Sequence, residues 1–325
     1  MTQMKAVTIY QAGGREVLKI EQRPIPQPKP GWVLIQVKSF GLNRSELFTR
    51  QGHSPNVAFP RILGIEAIGV VAASPDGVFD EGETVVTAMG GMGRMFDGGY
   101  AEYTAVPNAQ VRRVKTSLDW DVLGALPEML QTAFGALTMA LKAQAGERIL
   151  LRGGTTSVGL CAAILAKDMG LEVIATTRIE ARRQSLLDNG ADEVIIKTGA
   201  IADEIRRLYP NGVDKVLELV GATTLLDSLA ATAPGGSVCM AGMVGNAWEL
   251  PNFSPMGAIP STVNLTTYSG GVKEFMATPL QQIIDKVEAG HFKPPIGQVF
   301  HIDNIVAAHR AMEDNTAGGK IVVLT

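Results

Sequence analysis

Residues 147–182 read ERILLRGGTTSVGLCAAILAKDMGLEVIATTRIEAR, and the fold is decided there. Ile149 to Leu151 is a short apolar run of the kind that predicts a parallel strand buried on both faces. Gly153 and Gly154 interrupt it. Thr155, Thr156, Ser157 and Val158 lead on to Gly159, and an apolar helix is predicted through Met169. A second strand follows from Leu171 to Thr176. Strand, glycine turn, helix and strand in this order form the unit whose first turn cradles the pyrophosphate of a dinucleotide. The cause is local: the N–H groups and the dipole of a helix N-terminus favour an anion, and glycine lets that anion approach the backbone. Against the pattern G-x-G-x-x-G, Gly154 and Gly159 fit, while Thr156 stands where the middle glycine belongs. Taken alone, so incomplete a pattern also fits an ordinary glycine turn. The order of the elements and their repetition downstream support the dinucleotide reading.

Downstream, strands are predicted over 147–152, 171–176, 193–196, 213–220 and 236–242, alternating with helices over 157–169, 179–189, 200–208 and 223–231. That alternation predicts a parallel sheet with helices on both faces. Ser261 to Ser269 reads as a last, less apolar strand, placed at an edge. Helices over 278–289 and 302–313 and a strand from Lys320 to Leu324 close the chain. Upstream, Asp119 to Lys142 is one long helical pattern that Pro127 breaks into two helices. The first part of the chain reads as strands. Ala6–Tyr10 and Val17–Glu21 form a hairpin, Trp32 to Phe40 alternates with Val33, Ile35 and Val37 on one face, and further strands fall at 60–73, 83–88 and 98–103. The loop from Met89 to Gly99 either borders a site or is a surface connector.

Asn43 carries two readings. It opens the short helix ending near Gln51, with Glu46 three residues on as the reciprocal capping partner. If capping is its only task, aspartate should serve there equally well.

Composition bounds the rest. In 325 residues, 46% are hydrophobic and 19% charged, which suits a soluble chain of about two domains with ample core. A net charge of −3 offers no field for nucleic acid or an anionic membrane. The 2 cysteines and 4 histidines are scattered, so neither a disulfide framework nor a metal site is announced. No apolar leader stands at the N-terminus and no stretch suits a membrane span, so a cytoplasmic enzyme is expected. Coenzyme choice is read after the second strand of the dinucleotide unit. An acid there would meet the ribose hydroxyls of NAD, whereas cations meet the extra phosphate of NADP. The chain has Thr176, Thr177 and Arg178, then Arg182 and Arg183, with no acid at the strand end. Arg183 reads equally as a solvated helix position.

Together with these features, the motifs GLNRSELFTRQG (41–52), PRILGIEAIGVV (60–71), GGYAEY (98–103), the bridge around Pro127 and Thr132, and HRAMEDNTAGGKIVVL (309–324) carry a resemblance. The chain resembles the medium-chain dehydrogenase/reductase superfamily, and within it the zinc-independent quinone oxidoreductase (zeta-crystallin-like) group. The resemblance implies an α/β fold: a GroES-like β-rich catalytic domain over 1–120, rejoined by 270–325, plus an inserted Rossmann doubly wound parallel-sheet domain over 121–269. It implies NADPH as cofactor and a quinone or α,β-unsaturated carbonyl as substrate, with an enoyl-thioester reductase or a non-catalytic NADPH-binding regulator as alternatives. It makes the Asn43 amide a candidate donor to a substrate oxyanion. Gly154, Thr155, Thr156, Ser157 and Val158 would hold the pyrophosphate, and Thr177, Arg178, Arg182 and Lys197 the adenosine end. Thr132, Val220, Gly242 and Met243 would border the rest of the coenzyme. A homodimer through the edge strand 261–269 is implied, with no nucleic acid or membrane partner. No metal is expected: where zinc-dependent relatives place a cysteine and a His-Glu pair, this chain has Leu42-Asn43-Arg44 and Gly64-Ile65-Glu66.

Overall fold

In the computed structural model, which describes residues 2–325, the predicted hairpin forms from β1 (Gln3–Ile9) and β2 (Lys19–Pro24), paired antiparallel across a helical turn at Arg15–Val17. The alternation after Trp32 becomes β3 (Trp32–Leu42), with Val33, Ile35 and Val37 all buried. Helix Arg44–Arg50 follows. Then come β4 (Arg61–Ile62), β5 (Glu66–Ala73), β6 (Thr84–Ala88), β7 (Tyr103–Pro107) and β8 (Val111–Arg113). The strand expected over 98–103 starts only at Tyr103. Ahead of it the chain is held crosswise: the Tyr100 N–H donates to Leu63 O at 2.9 Å, and the Val7 N–H donates to Tyr100 O at 2.8 Å.

Pro127 divides the long helical pattern as expected, into Trp120–Leu123 and Pro127–Gly135, the latter running into a π-helical turn at Ala136–Ala140. Six strands follow: β9 (Arg148–Arg152), β10 (Glu172–Thr177), β11 (Glu193–Ile196), β12 (Val213–Glu218), β13 (Thr232–Met240) and β14 (Asn264–Thr267). All pair in parallel, in the order β11-β10-β9-β12-β13-β14. Helices on both faces explain why Ile149, Leu150 and Leu151 are wholly buried. The order reverses between β9 and β12, the switch point where such sheets open a crevice at their carboxyl ends. β14 is the last strand of the sheet and its side chains are half-buried to exposed, which accounts for its weaker apolar signal.

The chain ends with β15 (Ile296–His301), helix Ile305–Glu313 and β16 (Lys320–Leu324). β16 pairs antiparallel with β3, setting Ile321 against Leu42, and completes a seven-stranded sheet in which β15, β16, β3, β5, β6 and β8 lie in order and β7 pairs with β3. β1, β2 and β4 make a separate three-stranded sheet.

Two compact units result, one comprising the chain up to Met129 with Gly270–Thr325, the other Leu130–Ser269. The first includes residues 121–129, which the sequence reading assigned to the second. Ser39 Oγ of β3 donates to Trp120 O at 2.7 Å and ties helix Trp120–Leu123 to the first unit's sheet. Among the described residues no helix is long and apolar enough to cross a membrane.

Candidate functional site

The turn after β9 is built around two threonines. Thr176 Oγ1, at the end of β10, accepts the Gly153 N–H at 3.2 Å and donates to Leu151 O at 3.3 Å. Thr156 Oγ1 accepts the Gly159 N–H at 3.0 Å and donates to Gly153 O at 2.9 Å, so the residue in place of the middle glycine is the N-cap of helix Ser157–Asp168. Glycine is required at 159, because a Cβ there would stand 2.7 Å from the carbonyl oxygens of both Gly153 and Gly154. Thr156 caps the third N–H of the helix. Those of Ser157 and Val158 open it and have no intrahelical partner, an arrangement that suits a pyrophosphate.

On one side of this turn lie the predicted adenosine-end residues. Arg182 is half-buried and its Nη1 donates to Thr155 Oγ1 at 3.4 Å, so it leans over the turn after β9. Thr177 Oγ1 accepts the Ile179 N–H at 3.2 Å, and Thr177 O accepts the Lys197 N–H at 3.1 Å, drawing residue 197 beside the end of β10. Arg178 and Lys197 are exposed, the latter 3.9 Å from Glu204. Arg183 is bound to Glu180 at 2.8 Å and to Val194 O at 3.1 Å, which gives it a structural task on its helix.

On the other side, the ends of β12 and β13 close in. A Cβ on Gly153 would lie 3.3 Å from Val220 Cγ2, and one on Gly221 would lie 3.1 Å from Gly242 O and 3.2 Å from Met243 Cα. Gly154, Val220, Gly242 and Met243 are thus gathered at the carboxyl ends of β9, β12 and β13. Thr132 is half-buried on helix Pro127–Gly135.

In the first unit the residues around Asn43 form a buried polar cluster. The Lys320 ammonium, wholly buried, donates to Asn43 Oδ1 at 2.5 Å and Glu66 Oε1 at 2.9 Å, and stands 3.7 Å from Glu128. Burial lowers its affinity for the proton, but Glu66, Glu128 and Glu46 outweigh that and hold it above the usual lysine value. The Asn43 amide nitrogen donates to Glu66 Oε1 at 3.0 Å and Glu46 Oε1 at 3.2 Å. Glu46 Oε2 accepts the Asn43 backbone N–H at 3.0 Å, the reciprocal half of the expected cap. The Asn43 side chain makes no cap bond of its own, since its oxygen is taken by Lys320. Glu46 is fully buried, and that burial, reinforced by Glu66 and opposed by the Ile65 N–H, Lys320 and Asn43, pushes its carboxyl up to about 7.

Nearby, Arg50 and His309 are buried. Arg50 Nη1 lies 3.3 Å from His309 Nδ1 and pairs through Nη2 with Glu313, while His309 Nε2 lies 3.2 Å from Tyr100 Oη. Arginine only donates, so the hydrogen-bond network assigns Nδ1 as acceptor and places the imidazole proton on Nε2, facing Tyr100. Burial, with the Arg50 charge, pushes His309 down to about 3, and the ring is neutral.

Sequence reasoning missed Lys320 and Glu128 of the cluster around Asn43, and also Arg152 and Glu218, buried at the ends of β9 and β12. Only the charges in GGKIVVL and LELVG, set in otherwise apolar strands, signal two of them.

The chain matches the family model described as alcohol dehydrogenase GroES-like domain over residues 29–116 and that described as zinc-binding dehydrogenase over residues 189–323. It is 30% identical over 330 residues to quinone oxidoreductase of Homo sapiens, covering 99% of this chain and 98% of that relative. Among solved structures, AibC is similar with a TM-score of 0.87 at 29% identity, covering 99% of this chain and 96% of that one. Mycobacterial Rv1454c complexed with NADPH is similar with a TM-score of 0.88 at 26% identity, covering 99% and 100%.

Proposed function

This chain belongs to the medium-chain dehydrogenase/reductase superfamily, alongside the quinone oxidoreductases, and from that membership we propose that it is an NADPH-dependent, zinc-independent reductase of quinones or α,β-unsaturated carbonyls. Its membership makes it a nicotinamide-dependent oxidoreductase. The choice of NADPH rests on one observation above the others: Arg182, in the turn after β10, leans over Thr155, and no acid stands at the end of that strand.

NADPH, when bound, supplies the hydride. The chain holds and orients it and keeps water out. The Ser157 and Val158 N–H groups take the pyrophosphate, while Arg178, Arg182 and Lys197 take the adenosine phosphate. Val220, Gly242, Met243 and Thr132 line the remainder. The donor set supports a reaction without zinc. At the positions of the missing ligands, Glu66 is already shared by Lys320 and Asn43, and zinc takes cysteine, histidine or carboxylate groups that are free to bind it. Asn43 acts in this reading chiefly as a positioning residue, because its amide protons are directed at Glu66 and Glu46. The final position of β14 in its sheet supports a homodimer through residues 261–269.

A spectrophotometric screen of NADPH oxidation against quinones, enones and enoyl thioesters tests the proposal. Turnover of a quinone or enone is expected. Exclusive turnover of enoyl thioesters would move the substrate class, and tight NADPH binding with no turnover across the panel would overturn the enzymatic reading.

A further inference from the structure

The turn after β12 has an internal post. Glu218, wholly buried at the end of that strand, accepts the Val220 N–H at 2.7 Å and the Gly221 N–H at 2.9 Å on the same carboxylate oxygen, Oε1. Its other oxygen accepts the Ser228 hydroxyl at 2.5 Å. Its backbone oxygen accepts the Ala241 N–H at 2.9 Å and the Gly242 N–H at 3.3 Å. Further bonds from Val244 N–H to Leu219 O, at 3.1 Å, and from Gly245 N–H to Val220 O, at 2.9 Å, lash the turns after β12 and β13 together. Gly221 takes φ +103°, a conformation that needs glycine. Across the sheet Glu218 is in register with Arg152, whose buried guanidinium binds Asp227 at 3.0 Å and Gly199 O at 3.2 Å.

These bonds consume the polar backbone groups of the turn, so the surface it offers beside Gly153 is the Val220 side chain and glycine. In a sheet of this topology the coenzyme crosses the carboxyl ends at the strand-order reversal. Here that reversal lies between β9 and β12. With the phosphate turn after β9 and the cationic residues after β10, the half of the coenzyme lying over β12 and β13 is the nicotinamide half. We infer that Glu218 is a positioning residue for that half: it fixes the Val220–Gly221 turn in height and orientation without touching the coenzyme. The inference rests on the coenzyme reading proposed above.

Two variants separate reach from charge. Glu218→Gln keeps the acceptor that holds both N–H groups, and its amide can donate to a rotated Ser228 hydroxyl. Glu218→Asp keeps the charge opposite Arg152 but is one methylene short of the turn. NADPH and adenosine 2′,5′-bisphosphate, which carries only the adenosine end, are titrated by calorimetry against wild type and both variants. We expect Glu218→Gln to bind NADPH within about threefold of wild type and Glu218→Asp to lose at least about tenfold, with bisphosphate affinity unchanged in both. Equal NADPH affinity in wild type and Glu218→Asp would overturn the inference. So would a parallel loss of bisphosphate affinity, which marks general damage to the unit. If wild type binds bisphosphate and NADPH not at all, the coenzyme reading itself fails, and the inference with it.

Discussion

Lys320 and Glu66, both wholly buried and 254 residues apart in the chain, meet at 2.9 Å and tie the last strand to β5 through the interior of the first unit. Such a pair adds little net stability over a well-packed apolar equivalent, yet breaking it is severe, because an uncompensated charge is left behind. Lys320→Met should therefore destabilise the unit by roughly 3–5 kcal/mol. The double variant Lys320→Met, Glu66→Gln should recover much of that. Chemical denaturation of the four proteins of this cycle checks the claim, and simply additive losses would show that the pair is not coupled.

The same cluster changes what is expected of Asn43. A residue that only caps would accept aspartate, but this one donates its amide protons to two carboxylates and its oxygen receives Lys320. Asn43→Asp removes both donors and puts a third acid beside Glu66 and Glu46. Each hydrogen bond to a charged group contributes about 1.5–3 kcal/mol, so the variant should melt well below wild type, where a simple cap exchange would leave the melting temperature unchanged. Normal melting of Asn43→Asp would restore the capping account.

Glu46 and His309 should impose opposing pH slopes on stability. Glu46 is raised from 4.5 to about 7, so the stability it contributes is complete below pH 4.5 and is lost as pH rises through 7. His309 is lowered from 6.5 to about 3, so its contribution is complete above pH 6.5 and is lost as pH falls through 3. Between pH 4.5 and 6.5 the two tendencies oppose one another. Glu46→Gln removes the falling arm, and its stability relative to wild type should climb by up to about 1.4 kcal/mol per pH unit across that window. Parallel pH–stability curves for the two proteins would rule this out.

What the chain discloses locally, it discloses well. The run Ile149–Leu151, the alternation at Val33, Ile35 and Val37, and the break at Pro127 each produce the element they predict, because period and proline sterics act over a few residues. β15 was not foreseen: its residues alternate only between half-buried and exposed, and no apolar stripe marks it. Lys320, Glu66 and Glu128 could not be associated from sequence, since nothing local distinguishes a buried charge whose partner comes from a distant strand. Glu218 is hidden for a related reason: a carboxylate turned back onto its own turn looks the same in sequence as a solvated strand end.

Thr156 offers a direct test of the incomplete glycine pattern. Its hydroxyl caps the helix, and glycine is nearly as good a cap as threonine while alanine is poor. Thr156→Gly, which completes the pattern, should cost a few tenths of a kcal/mol, and Thr156→Ala about 1 kcal/mol, or a few degrees in Tm. Equal losses in both variants would assign the stabilisation to the bond from Thr156 to Gly153 O instead.

Coenzyme preference should reside in Arg182. Its guanidinium lies beside Thr155 in the turn after β9, Arg183 is occupied by Glu180, and no acid stands at the end of β10 to bind ribose hydroxyls. A charge-assisted contact to a phosphate contributes roughly 1.5–3 kcal/mol, or about ten- to a hundredfold in affinity. Arg182→Ala should therefore raise the Kd for NADPH by that factor and leave the Kd for NADH almost unchanged, because NADH lacks the 2′-phosphate. The residual preference for NADPH would come from Arg178 and Lys197. Fluorescence titration of both coenzymes against wild type and variant measures the two constants directly. A loss shared equally by NADH and NADPH would place Arg182 at the pyrophosphate, which both coenzymes carry, and would remove the residue-level basis for choosing between them.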